Sequence, residues 1–84
     1  MISSKTIYEL HVENGRSIEK HGDWADYTPL DIFRAVSGEF HEVTQAVIVE
    51  NIHGDHGMVM ELMQLANTCL KGVEVLRRGD DSHI

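Results

Sequence analysis

The chain has 84 residues, enough for one domain whose core stays small unless it packs against further copies or a partner. Seven Lys and Arg against fourteen Asp and Glu give a net charge of −7, which makes nucleic acids and anionic membranes poor partners. A single cysteine excludes an internal disulfide. The sequence also has no basic start followed by an apolar run, the pattern that would indicate a signal peptide or membrane span. We therefore expect a cytoplasmic protein.

The first predicted helix begins at a capping box and runs to about Lys20. Thr6 and Glu9 have the required spacing, in which a hydroxyl and a carboxylate three residues later bond the exposed amide groups. Gly22 is placed to end this helix. Its apolar face is thin and consists of Ile7, Leu10 and Ile18.

The second helix has the strongest start signal in the chain. Thr28 can cap it, Pro29 is tolerated at the first helical position, and Asp31 complements the positive helix end. We expect the helix to run to about Glu50. Its apolar residues are spaced three and four apart, which predicts a face buried in the core. This stripe consists of Phe33, Val36, Phe40, Val43 and Val47.

A third helix is predicted between Asp55, as its cap, and Gly79, as its stop. We expect Cys69 to be a small buried hydrophobe on this helix and the tail from Asp80 to Ile84 to fray. Its apolar stripe consists of Met58, Leu62, Leu65, Cys69, Val73 and Leu76. With no strand alternation, the sequence predicts an all-α chain of three helices whose bundle is completed by oligomerisation, as a dimer or a tetramer.

Two carboxylates on the second helix carry the first chemical signal. Glu39 and Glu42 are three residues apart, so they share one helix face among small apolar neighbours. Because adjacent carboxylates repel one another in apolar surroundings, a bound cation would relieve the conflict. Oxygen ligands favour a hard ion such as Mg²⁺.

A polar strip on the third helix could face this pair. It consists of Glu61, Gln64, Thr68 and Lys71, with Asn67 at its edge. In that case Glu61 and Gln64 would add oxygen ligands, and Lys71 would offer a positive charge to a phosphate. From spacing alone, a solvated charged face is the more common meaning of such patterns.

The residues GEFHE at 38–42 and ELMQ at 61–64 resemble the paired signatures EExxE and ExxD of the MazG-like all-α nucleoside triphosphate pyrophosphohydrolases. The resemblance implies that Glu39, Glu42 and Glu61 hold Mg²⁺, which binds a nucleoside triphosphate for hydrolysis to a monophosphate and pyrophosphate. Gly38 and Gln64 stand where the family has acidic residues. An amide oxygen can coordinate Mg²⁺, but it brings no charge and cannot act as a general base.

Two loops offer further candidates. Trp24, between the first two helices, could stack on a nucleobase or anchor the end of the bundle. His53 and His56, between the second and third helices, form a polar turn or, with His21 and His41, a zinc site.

Two functions from different classes therefore remain open. The first is a MazG-like domain that binds a nucleoside triphosphate with Mg²⁺, with or without hydrolysis. The second is a catalytically inactive helical oligomerisation or interaction module of bacterial or phage origin, which Gly38 and Gln64 favour. A divalent metal-binding regulator that uses the histidines is a third.

Overall fold

The computed structural model describes residues 1–81, with side chains as far as Arg78. It contains three helices, α1 (Ser4–His21), α2 (Pro29–Ile48) and α3 (Met58–Asp81). Residues 1–81 contain no strand, which confirms the all-α prediction.

The ends of α1 and the start of α2 are set by local capping bonds. Ser3, and not Thr6, caps α1, because its hydroxyl oxygen accepts a hydrogen bond from the Thr6 amide at 3.2 Å. The helix ends as predicted at Gly22, whose φ of 76° suits glycine. The predicted cap of α2 at Thr28 is confirmed, and the structure shows that Asp31 completes a capping box with it. The Asp31 amide donates to the Thr28 hydroxyl at 3.2 Å, and the Thr28 amide donates to the Asp31 carboxylate at 3.0 Å.

The start of α3 is displaced by a tight loop built on Asn51. Its side-chain oxygen accepts from the Gly54 amide, and its side-chain nitrogen donates to the Asp55 carbonyl, each at 2.9 Å. The helix therefore begins at Met58, later than the predicted cap at Asp55. It also continues past Gly79 to Asp81, so the predicted stop is wrong. The last three residues of the predicted frayed tail lie outside the described residues.

Helix α3 is the centre of the fold. Within the described residues, α1 and α2 both pack against α3 and not against each other. The radius of gyration is 13.9 Å, against about 12 Å expected for a compact domain of this length. The described side chains of the apolar core are few: Trp24, Ile32, Val43, Ala46 and Val75.

Close contact between α2 and α3 requires a small residue on α3. A Cβ atom at Gly72 would lie 2.7 Å from the Cγ2 atom of Ile32, so glycine lets the two helices approach. None of the α1 side chains is buried, and α1 is therefore the least securely packed of the three helices.

The two predicted apolar stripes are mostly on the outside of this chain. On α2, Phe33 is 66% and Phe40 is 61% exposed, and only Val43 of the predicted stripe is buried. On α3 the exposed members are Leu62, Cys69, Val73 and Leu76. The expectation that Cys69 is buried is wrong for the single chain. In the single chain, the two faces that periodicity assigned to the core are therefore covered only in part.

No helix within residues 1–81 combines the length and the hydropathy needed to cross a bilayer.

Candidate functional site

A cleft opens between α1 and α2, and the polar strip of α3 lies beneath it. The cleft consists of two adjoining hollows of about 320 and 270 Å³. Both are lined by Ser17 and His21 from α1, Glu39 from α2 and Thr68 from α3. Because α1 and α2 do not touch each other, this space stays open along the α3 side that faces them.

The polar strip of α3 faces inward. Four of its polar residues are buried, namely Glu61 (2% exposed), Asn67 (3%), Thr68 (6%) and Lys71 (6%). Burying polar and charged groups is costly unless they are paired, so an amphipathic helix normally turns such residues to water. Helix α3 does the reverse, with its polar strip inside and much of its apolar stripe outside.

Two carboxylates at the cleft have oxygen atoms without a partner. One side-chain oxygen of Glu39 and one of Glu61 are buried and accept no hydrogen bond. Burial, followed by the negative charges of Glu61, Glu42 and Glu13, raises the pKa of Glu39 above its ordinary value. Carboxylates from all three helices therefore lie within electrostatic reach of Glu39.

The structure does not assemble these carboxylates into a finished metal site. Among the described residues, no three His, Cys, Asp or Glu side chains are close enough to hold one ion, and this includes the loop histidines. Glu42 and Gln64 both line the cleft, in different hollows. One side-chain oxygen of Glu39 and one of Glu61 are therefore left as buried acceptors without a partner, which is a costly arrangement for carboxylates.

His56 is the closest polar neighbour of Glu61. Its Nδ1 atom lies 3.2 Å from one carboxylate oxygen of Glu61, and as the Nδ1–H tautomer it donates to that oxygen. His56 has a left-handed φ of 57°, in the loop that Asn51 braces. A polar turn was predicted at His56, but this contact was not, because it depends on the loop conformation and has no spacing signal.

Lys71 is engaged by α1 and the loop after it. Its Nζ atom donates to the Ser17 hydroxyl and to the Gly22 carbonyl, each at 3.0 Å, and lies 4.2 Å from the ring centroid of Trp24. Desolvation lowers the pKa of Lys71, although Asp23 acts in the opposite direction. These contacts join α3 to α1 and to the loop that follows α1. The sequence had instead predicted that Lys71 contacts a phosphate.

Trp24 serves mainly as an anchor. It is 8% exposed and packs with Ile32 and Val75 in the core. Tyr27 stacks on it with ring centroids 4.7 Å apart. Of the two roles left open for Trp24, the structure favours the anchor, and Tyr27 is the more exposed of the two rings.

Basic residues that were not predicted as site residues also line the cleft. Arg16 and Lys20 of α1 line one hollow, and Arg34 of α2 lines the other. The four-residue spacing of Arg16 and Lys20 places them on one face of α1 and could have identified this pair. The cleft therefore combines buried carboxylates with basic groups at its walls.

A larger groove of about 380 Å³ lies between α1 and α3. Ile7, Leu10, Ile18 and Leu70 give it an apolar lining, and Asn67 borders both the groove and the cleft. Glu39 lines both hollows of the cleft and does not line this groove, so we place the candidate site in the cleft.

No protein-family model matches this chain, nor does any curated protein or solved structure.

Proposed function

We propose that this chain is a divergent MazG-like domain that binds a nucleoside triphosphate together with Mg²⁺ in the cleft between α1 and α2. The observation that carries the proposal is the inward polar strip of α3, with buried unpaired oxygens on Glu61 and on Glu39 opposite it. A helix that buries a carboxylate oxygen without a hydrogen-bond partner is less stable when no ligand is bound. Such a cost is typical of functional sites.

The residues of the cleft divide into two roles. Glu39 and Glu61 would hold Mg²⁺, with Glu42 and Gln64 as the further oxygen donors along the same walls. Arg16, Lys20 and Arg34 would contact phosphate oxygens, since guanidinium and ammonium groups donate to them. An acidic interior with basic walls is suited to a metal-bound polyphosphate.

Hydrolysis is the activity that the resemblance implies. Water attacks the α phosphorus, and its oxygen stays on the monophosphate. The bond from the α phosphorus to the oxygen that bridges the α and β phosphates breaks, and that oxygen leaves with pyrophosphate. Magnesium would offset the negative charge that develops during this step. Gly38 and Gln64 reduce the number of carboxylates compared with the family signatures, so we expect slower turnover than a complete signature would support.

We also propose that copies of this chain associate, as a dimer or a tetramer. The described core contains few buried apolar side chains, and the large apolar residues of α2 and α3 remain exposed. Small domains complete such cores by association.

The proposal is tested by pairing Mg²⁺ binding with pyrophosphate release. Mg²⁺ should raise the melting temperature of the wild-type chain by mass action, and a triphosphate panel should release pyrophosphate only when Mg²⁺ is present. Glu61→Gln should abolish both effects. Glu74→Gln, an exposed carboxylate on the same helix, is the matched control and should preserve them.

The interaction module is the second candidate, and the exposed apolar residues of α2 and α3 favour it. It predicts association without any effect of Mg²⁺ or nucleotide on stability. Mg²⁺-dependent stabilisation that Glu61→Gln removes would therefore exclude this alternative.

A further inference from the structure

The groove between α1 and α3, which we call the α1–α3 groove, has no role in the proposed function. Its volume is about 380 Å³, in the lower part of the range of roughly 300–1,000 Å³ that is typical of small-molecule pockets. Its α1 wall runs from Ile7 to Ile18, a distance of about 16 Å at the helical rise per residue. These dimensions suit a small molecule.

The walls of the α1–α3 groove are apolar and only partly covered. Ile7, Ile18 and Leu70 are 47%, 42% and 49% exposed, and Leu10 completes the apolar lining. None of the α1 side chains is buried, so the groove marks where α1 packs incompletely on α3. An apolar molecule in the groove would remove this surface from water and would contact both helices.

Asn67 brings a buried polar group to the α1–α3 groove. It is 3% exposed and lines the groove from α3, while the half-buried Asn14 lines it from α1. Within the described residues, no side-chain hydrogen bond involves the amide of Asn67. Buried amides are normally hydrogen-bonded. A ligand group that both donates and accepts would satisfy this one.

The charged residues of the α1–α3 groove offer no buried counter-ion to a ligand. The Nζ atom of Lys71 is bonded to α1 and to the loop after it, and Arg78 pairs with Asp23 at 3.5 Å. His11 and Glu74 are exposed. A charged ligand would lose water without gaining a buried partner, and an anion would also meet the net charge of −7. Charge complementarity therefore favours an uncharged ligand.

We propose that the α1–α3 groove binds a small uncharged molecule that has an apolar body and one hydrogen-bonding group, such as an amide or a hydroxyl. The apolar body lies along Ile7, Ile18 and Leu70, and the polar group bonds to Asn67. Such a molecule joins α1 to α3. Because Asn67 and α1 also line the cleft, the bound molecule holds one wall of the cleft in place.

Hexanamide, hexylamine and hexanoate test this chemistry on the wild-type chain, since they have similar apolar chains and differ in the charge of the head group. Each is titrated in the absence of Mg²⁺ and nucleotide and followed by NMR of the isotope-labelled chain. Hexanamide should bind about tenfold more tightly than either charged probe. It should shift the backbone signals of Asn14, Asn67 and Leu70 most, and it should slow hydrogen exchange in α1.

Three results with the wild-type chain would overturn the proposal. The first is that hexanamide does not bind, and the second is that its shifts lie on α2 and not along the α1–α3 groove. The third is that hexylamine or hexanoate binds as tightly as hexanamide, which would exclude the uncharged class of ligand. Because the titrations contain neither Mg²⁺ nor nucleotide, none of these results bears on the proposed function of the cleft.

Two variants of α1 provide a matched pair. Ile18 and Val12 are 42% and 46% exposed, and of these two only Ile18 lines the α1–α3 groove. Ile18→Asp should weaken hexanamide binding about tenfold, because it places a charge in the apolar lining, and Val12→Asp should preserve it. Asn67→Leu should weaken it about fivefold through the lost hydrogen bond. Equal hexanamide affinity in Ile18→Asp and Val12→Asp would overturn the assignment to this groove.

Discussion

The Nδ1 atom of His56 lies 3.2 Å from one carboxylate oxygen of Glu61, while the other oxygen of Glu61 is buried without a partner. This contact gives a partner to one oxygen of Glu61, which is the most deeply buried acidic side chain in the described residues. His56 is held there by the loop that Asn51 braces. His56 therefore orients a carboxylate whose other oxygen is buried without a partner.

Replacing His56 by Ala should weaken Mg²⁺ binding about 10-fold, since the partners that orient a ligand usually matter by this factor or more. The loss arises because Glu61 would be free to adopt other orientations. Titration calorimetry with Mg²⁺, or melting temperature at graded Mg²⁺, measures the effect. His53→Ala, in the same exposed loop, is the control. Equal Mg²⁺ affinity in both variants would show that His56 does not position Glu61.

The raised pKa of Glu39 makes stability depend on pH. Because the folded chain protonates Glu39 more readily than the unfolded chain does, this group stabilises the fold at acid pH. That contribution is lost as the pH rises through the raised value. Glu39→Gln in metal-free buffer should therefore melt several degrees higher than wild type at neutral pH, and the difference should shrink in acid.

Binding of Mg²⁺ at Glu39 should stabilise the fold most at a pH where the Glu39 carboxylate is charged. In wild type it should raise the melting temperature more at neutral pH than in acid, because protonation competes with the cation. Glu39→Gln should respond weakly at both. Glu19→Gln, an exposed carboxylate on α1, serves as the control. A wild-type response to Mg²⁺ that is independent of pH would contradict this account.

Local signals predicted the helices well, whereas the assignment of their faces needed tertiary information. The Thr28 cap of α2 involves neighbours in sequence, and it was confirmed. Phe33 and Phe40 were assigned to the core because periodicity gives the direction of a face but not what covers it. With α1 and α2 both on one side of α3, that side in the single chain is the polar one.

The candidate site was predicted in part for the same reason. The spacing of Glu39 and Glu42 placed both on one side of α2, and the structure adds the proximity of Glu61 through its effect on the pKa of Glu39. His56 could not be found in this way, because its position depends on a left-handed residue in an irregular loop.

Lys71 should prove to be mainly a structural residue. Lys71→Met removes the bonds to Ser17 and Gly22 while retaining most of the apolar stem. Since hydrogen bonds from charged groups contribute roughly 2 kcal/mol, the melting temperature without ligand should fall by about 10 °C for a domain of this size. Lys5→Met, at an exposed site on α1, should have little effect. An unchanged melting temperature combined with weaker nucleotide binding would instead support a phosphate-binding role.

Restoring the missing acidic residues should strengthen the site. Gly38 lines the cleft, and a Cβ atom there would meet nothing within 4 Å, so a larger side chain has room. Gly38→Glu and Gln64→Asp each add a carboxylate near Glu39 and Glu61. Both should raise Mg²⁺ affinity by electrostatic attraction, and the double variant should release pyrophosphate faster than wild type. Isothermal titration and a pyrophosphate assay measure the two effects.

The stability of the metal-free variants distinguishes the effect of an added carboxylate from a change in helix propensity. Gly38→Ala should stabilise the metal-free chain by about 1 kcal/mol, because alanine favours a helix interior, and should leave Mg²⁺ affinity unchanged. Gly38→Glu and Gln64→Asp should instead destabilise the metal-free chain relative to Gly38→Ala and wild type respectively, since each adds a negative charge near Glu39. Mg²⁺ should reverse that loss. If neither acidic variant alters Mg²⁺ affinity or turnover while both stay folded, the cleft does not hold a metal-bound triphosphate, and the interaction module becomes the better description of this chain.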